Sequence, residues 1–221
     1  MHTKTLSTVI FAFALLTLTS QAALYLTGIF DGPLSGGTPK GIELYASDNV
    51  ADLSAYAIGT ANNGGGTDGA EFTLSGSATA GDYIYVVANG NEDEFTSFLG
   101  GSATFASSAL GINGDDAIEL FHNEAVVDTF GDINVNGDGE DWDYTDGWAY
   151  RNTVTAGGAF TTSDWTFSGL NAWDGATSNA SSGSVMPIGT FTTTPVPEPS
   201  TYALLVGLVG LSYTLNRRRR A

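Results

Sequence analysis

The chain has no cysteine, so neither disulfides nor thiolate metal sites nor thiol nucleophiles are open to it, and packing and hydrogen bonds must hold it together. Histidine is almost as scarce: beyond the first residues only His122 is present. Cations are the third shortage. Between residues 23 and 194, Lys40 and Arg151 face 23 of the chain's 24 carboxylates, which leaves a formal charge of −21 on that stretch. A protein that grips phosphate backbones needs a basic footprint to displace counterions, so nucleic acid is a poor partner and none is expected. The excess of acid either keeps the chain soluble or gathers divalent cations at particular loops. There is also no Gly-x-Ser-x-Gly elbow, and His122 falls between two strand-like runs, where it reads as a solvated turn residue and not as a triad member. A pair of glycosidase carboxylates cannot be singled out among so many acids.

What is present begins with two distinctive ends. Near the start, Lys4 precedes an apolar run from Val9 to Leu18 and then Ser20-Gln21-Ala22, the small-x-small form of a secretory cleavage site, so residues 1–22 read as a signal peptide. Near the finish, three of the six prolines stand at 195, 197 and 199, where they remove backbone donors and uncouple the tail from the chain before it. Tyr202 to Leu215 carries no charge. As a helix it reaches about 21 Å against a hydrocarbon core of roughly 30 Å, a marginal span that snorkelling arginines and a thinned bilayer can accommodate. Arg217, Arg218, Arg219 and Arg220 close the tail and would stay cytoplasmic by the positive-inside rule.

The ordered triple of Val196-Pro197-Glu198-Pro199, a small-residue-rich apolar run with Gly207 and Gly210, and a terminal arginine block resembles the PEP-CTERM sorting signal of Gram-negative bacteria. That resemblance implies an exosortase-like membrane protease as partner and a transient stay in the inner membrane. It also implies delivery to the cell surface or to extracellular matrix, with exopolysaccharide or another surface protein as neighbour.

Between the ends, short runs alternate in polarity or are rich in β-branched and aromatic residues. Strands are expected over Leu24–Phe30, Lys40–Ala46, Leu53–Gly59, Glu71–Leu74, Tyr83–Ala88, Asp115–Phe121, Val126–Phe130, Trp148–Arg151 and Asp164–Phe167, with Asp31-Gly32-Pro33 as a turn. Asn91-Glu92-Asp93-Glu94 has the form of a capping box before a helix that carries Phe95, Phe98 and Leu99 on one face and stops at Gly100-Gly101. Many short strands, frequent turns and one helix define an all-β sandwich. The segments Ile42-Glu-Leu-Tyr45, Gly81-Asp-Tyr-Ile-Tyr-Val-Val87, Gly114-Asp-Asp-Ala-Ile-Glu-Leu-Phe121 and Gly147-Trp-Ala-Tyr-Arg151, in that order, resemble the lamin-tail domain. The resemblance implies an immunoglobulin-like sandwich over 23–189. After it come a Thr/Pro linker with the sorting motif (190–199), a hydrophobic helix (200–216) and a basic cytoplasmic tail (217–221). Past Gly169 periodicity fades, and that stretch is expected to grade into the linker.

One loop has metal-ligand spacing. Asp132, Asn134 and Asn136 fall at positions 1, 3 and 5 of a calcium loop, Gly137 at its sharp turn and Asp143 at position 12, with Asp138 as a further oxygen donor. An aspartate closes it in place of glutamate, Gly139 replaces the usual apolar residue, and no helices flank it, so a plain polar turn competes with Ca²⁺ binding. The four tryptophans are candidates for a sugar-stacking surface or for core. Taken together, the residues point to an exported, non-enzymatic surface or matrix module; the alternative is a secreted Ca²⁺-dependent hydrolase with nuclease-like or glycosidase-like activity.

Overall fold

In the computed structural model, which describes residues 23–152 and 158–193, ten strands form two sheets. The stretches expected to be a signal peptide and a sorting motif, together with the hydrophobic run and the arginine block, lie outside the described residues. The first strand, β1 (Leu24–Leu34), pairs antiparallel with β2 (Thr38–Ala46) and with β9 (Gly147–Arg151). The six-stranded sheet runs β10–β9–β1–β2–β5–β6, where β5 is Tyr83–Ala88, β6 is Phe105–Ser107 and β10 is Trp165–Phe167. The four-stranded sheet runs β4–β3–β7–β8, made of Phe72–Thr73, Tyr56–Ala61, Ala117–His122 and Ala125–Phe130. The architecture is therefore an all-β sandwich with a single α-helix among the described residues, α1 (Glu92–Leu99).

β1 shows how the core is addressed. Leu24, Leu26 and Ile29 are all wholly buried in the cluster between the sheets, although strict alternation would send residue 29 to the opposite face from 24 and 26. The register shift between Leu26 and Gly28 supplies the missing residue: Thr27 is the extra one, and after it the odd positions face inward. A second shift lies between Asp31 and Leu34 and takes in Pro33. That is why the expected Asp31-Gly32-Pro33 turn is instead strand, for a bulge tolerates a residue without an amide donor. The chain reverses one step later, where Gly36 (φ 90°) and Gly37 (φ 67°) take conformations that a side chain resists.

Other boundaries moved for local reasons. Leu53–Ala55 is a 3₁₀ turn capped by Asp52, whose Oδ1 accepts from the Ser54 amide at 2.9 Å, so β3 starts only at Tyr56. The hairpin between β7 and β8 turns on Asn123 and Glu124, both left-handed (φ 49° and 67°), leaving His122 as the last residue of β7. α1 buries Phe95, Phe98 and Leu99 and ends at left-handed Gly100, as expected, but there is no capping box. The Asn91 carboxamide is taken elsewhere, its Oδ1 accepting from the backbone amide of Lys40 at 2.9 Å. β6 has three residues and no alternation that could announce it; it exists because it pairs parallel to β5.

The outer face of the six-stranded sheet is not solvated. α1 and the irregular segment from residue 170 to 191 cover it and build a second apolar cluster from Phe30, Tyr45, Val87, Phe95, Phe98, Trp148, Tyr150, Trp173, Met186 and Phe191. Gly28 is small for this reason: a Cβ there would stand 2.6 Å from the Met186 methyl carbon. Phe191 lies within the stretch assigned to the linker, yet it is only 4 % exposed, so the packed domain continues past residue 189. Among the described residues no helix is long and apolar enough to cross a membrane.

Candidate functional site

The loop with calcium spacing joins β8 to β9, and its side chains are engaged with its own backbone. Asp132 Oδ1 accepts from the Asn134 amide (2.9 Å), and Asn136 Oδ1 from the Asp138 amide (2.9 Å). Asp143 is buried and commits both oxygens: Oδ2 accepts from the Gly139 amide (2.9 Å), Oδ1 from the Thr145 amide (3.0 Å) and hydroxyl (2.8 Å). Asn134 is exposed, and its amide serves the first of these turns. Trp142 folds beneath, 2.6 Å from where a Gly137 side chain would begin, so glycine is needed there for packing and not for coordination. Among the described residues no three His, Asp or Glu side chains converge in the manner of a metal cage. These bonds use part of the acceptor capacity of Asp132, Asn136 and Asp143 and shape the loop from within. The neighbouring cleft of ≈ 280 Å³ is lined by Thr129, Gly131, Asp132, Ile133, Ala159 and Phe160.

The tryptophans are core. Trp142, Trp148 and Trp165 are each 5 % exposed and Trp173 is wholly buried, so they offer no stacking surface. His122 stacks on Tyr56 with ring centroids 4.4 Å apart.

Sequence alternation places Glu43 on a solvated face, but it is wholly buried under the 170–191 segment. Its Oε1 accepts from the Thr27 hydroxyl (2.7 Å) and the Tyr150 hydroxyl (3.0 Å), and its Oε2 from the Gly189 amide (2.6 Å). Tyr150 in turn accepts from the amides of Thr190 (3.0 Å) and Phe191 (2.9 Å). Burial pushes the Glu43 carboxyl above the usual carboxylate range, against the pull of its hydrogen bonds to Thr27, Gly189, Tyr150 and Tyr85. One carboxylate thus clamps the C-terminal segment to the sheet. Its only sequence signal is an acid amid the aromatic residues of β2 and β5, which alternation alone assigns to water.

Arg151 and Asp128 form a second buried unit. The guanidinium Nη1 meets Asp128 Oδ2 and donates to the Leu26 carbonyl (2.9 Å), while the Leu26 amide donates to the same carboxylate (2.9 Å). The guanidinium carbon lies 5.0 Å from the Trp165 ring centroid. This bridges β9 of one sheet to β8 of the other. Desolvation raises the Asp128 carboxyl, and the arginine charge opposes it.

A third polar group sits at one end of the sandwich. Lys40 Nζ is 3.0 Å from Asp31 Oδ1, its cross-strand partner, and it donates to the Ile112 carbonyl (2.6 Å) and to Asn113 Oδ1 (2.9 Å). Asp31 and Lys40 side chains are 5 % and 13 % exposed, and burial pushes Asp31 up to about 6 although the ammonium beside it pulls the other way. Asp146, just outside, donates its backbone amide to Asp31 Oδ2 (3.4 Å), and its own carboxyl is raised by burial and by Asp174. Desolvation and the negative charges of Asp116, Asp143 and Asp138 raise Asp115 nearby.

Fold and buried polar groups together define an all-β domain in which a few buried charged side chains, Glu43, Asp128, Arg151 and Asp31 with Lys40, tie strands and segments together. Compared with family models, curated proteins and solved structures, the chain matches none.

Proposed function

We propose that the chain is an exported, non-enzymatic module of the cell surface or extracellular matrix. An immunoglobulin-like sandwich of the lamin-tail kind is carried out by a PEP-CTERM-like tail that an exosortase-like membrane protease processes. The observation that supports this is the clamp at the end of the domain. Gly189, Thr190 and Phe191 are hydrogen-bonded to Glu43 and Tyr150 in the middle of the sheet, only a few residues before the motif Val196-Pro197-Glu198-Pro199. Whatever is joined to the tail is thereby joined to a packed fold that reaches at least to Phe191, a few residues before the first of the three prolines in the sequence. Exopolysaccharide or another surface protein is the neighbour this delivery implies, and Ca²⁺ at residues 132–143 stays a proposal for titration.

Processing tests the reading. Protein recovered from the cell surface should lack residues 1–22 and the segment after the proline motif, and Pro197→Ala with Glu198→Ala should accumulate a membrane-bound form that keeps its arginines. Mature surface protein that retains Arg217 to Arg220 would instead make the tail a permanent anchor. Turnover of DNA or polysaccharide, abolished by one carboxylate substitution, would replace the module by a hydrolase.

A further inference from the structure

Lys40 is the lone lysine between residues 23 and 194, and its amine is held against a primary amide and a carboxyl group at once. Asn113 Oδ1 accepts from Nζ at 2.9 Å, which sets the amine beside the amide group it would attack. The Ile112 carbonyl, 2.6 Å away, fixes the amine from another side. Gly37 leaves room for it: a Cβ there would stand 2.9 Å from Nζ. Asp31 is nearly out of water, and the wholly buried Tyr144 lies near enough to feel its charge, whereas Asn113 is open to solvent.

We propose that Lys40 and Asn113 join in an intramolecular isopeptide bond, with Asp31 carrying the protons. The Asp31 carboxylate takes a proton from the Lys40 ammonium, and the neutral amine attacks Cγ of Asn113, sending the carbonyl electron pair onto Oδ1. Asp31 then gives its proton to the asparagine nitrogen and receives one from the attacking nitrogen. The pair on Oδ1 re-forms the carbonyl as the old C–N bond breaks, and ammonia departs through the exposed side of Asn113. A new amide, one ammonia and a protonated Asp31 remain, and that proton passes to ammonia or solvent. No oxidant or cofactor enters. Burial of Asp31, which raises its proton affinity to about 6, eases the first transfer. The product ties β2 of the six-stranded sheet to the loop that leads into β7 of the four-stranded sheet, across 73 positions of sequence. An exported chain without cysteine would gain from it the staple between sheets that a disulfide supplies elsewhere.

The test is peptide mass on the purified full chain, incubated at neutral pH, denatured and digested. The expected result is a branched peptide joining Lys40 to Asn113, lighter than its two linear parts by one ammonia, with loss of the Lys40 amine from reaction with amine-specific label. Lys40→Arg and Asn113→Ser should each yield only linear peptides. Asp31→Ala should leave Lys40 and Asn113 in place but unjoined, with its near-ultraviolet dichroism checked for a native fold. Linear peptides from folded wild-type protein overturn the proposal. So does a Lys40–Asp31 branch lighter by one water, or a bond that forms undiminished in folded Asp31→Ala.

Discussion

Glu43, Asp143 and Asp31 are all carboxylates in a very acidic chain, and their surroundings give them different tasks. Glu43 accepts from two buried hydroxyls and a half-buried amide, so Glu43→Ala should cost about 1–3 kcal/mol for each buried donor left without a partner. Urea denaturation measures this, with exposed Asp68→Ala as the reference, expected within about 0.5 kcal/mol of the parent. Asp143 holds its loop in a comparable way, and Asp143→Ala should lose about 1–3 kcal/mol in the presence of a chelator, from the Gly139 and Thr145 groups it orphans. Millimolar Ca²⁺ should restore none of that loss. A rise in the parent's melting temperature with Ca²⁺, absent in Asp132→Ala and Asp143→Ala, would show instead that the loop rearranges around a cation.

The segment from 170 to 191 is the element with least regular structure and most influence on the sheet beneath. Trp173 packs edge-on against Phe98 at 4.9 Å, and the indole N–H groups of Trp148 and Trp173 both donate to the Ser184 carbonyl (3.0 and 2.9 Å). Asn179 and Met186 exchange two hydrogen bonds through the asparagine amide (2.9 and 2.8 Å), closing the segment on itself. Trp173→Ala should therefore cost about 3–5 kcal/mol, as large aromatic deletions from cores do. Hydrogen exchange should localise the effect: the amides of Gly189, Thr190 and Phe191 lose protection first, while those of β3 and β7 in the other sheet keep theirs. Uniform loss across both sheets would mean that the segment is no separate unit.

At the scale of the whole molecule, the acidic composition and the burial of several carboxyl groups act in the same direction. Asp31, Glu43, Asp115, Asp128 and Asp146 all have folded affinities for protons raised above those of the unfolded chain, chiefly by desolvation. Between about pH 4, the ordinary carboxylate value, and about 6 for Asp31, the folded state holds more protons than the unfolded state. The stability these groups contribute is complete below the unfolded value and is lost as pH rises through the folded one. Melting temperature should thus climb as pH falls from 7 toward 5, and relief of self-repulsion among the acids adds to the trend. A flat profile, or a maximum at pH 8, would show that the buried carboxyls keep ordinary affinities.

Local periodicity made the sandwich strands legible: alternation found β2, an apolar run found β5, and one-sided aromatic spacing found α1 with its glycine stop. These signals arise because each element's own residues must divide between an inner and an outer face. The same rule misled where the outer face was itself covered. Glu43 read as solvent-facing, and the stretch after Gly169 read as fading into a linker, because an irregular segment leaves no period and its partners lie far away in sequence. Lys40, Asp31 and Asn113 likewise have nothing in common until β1, β2 and the loop before β7 bring them to one end of the fold. Composition determined that no cysteine would staple this protein; only the tertiary structure decided which side chains stand close enough to take that place, because proximity is a property of the packed sheets and not of the chain.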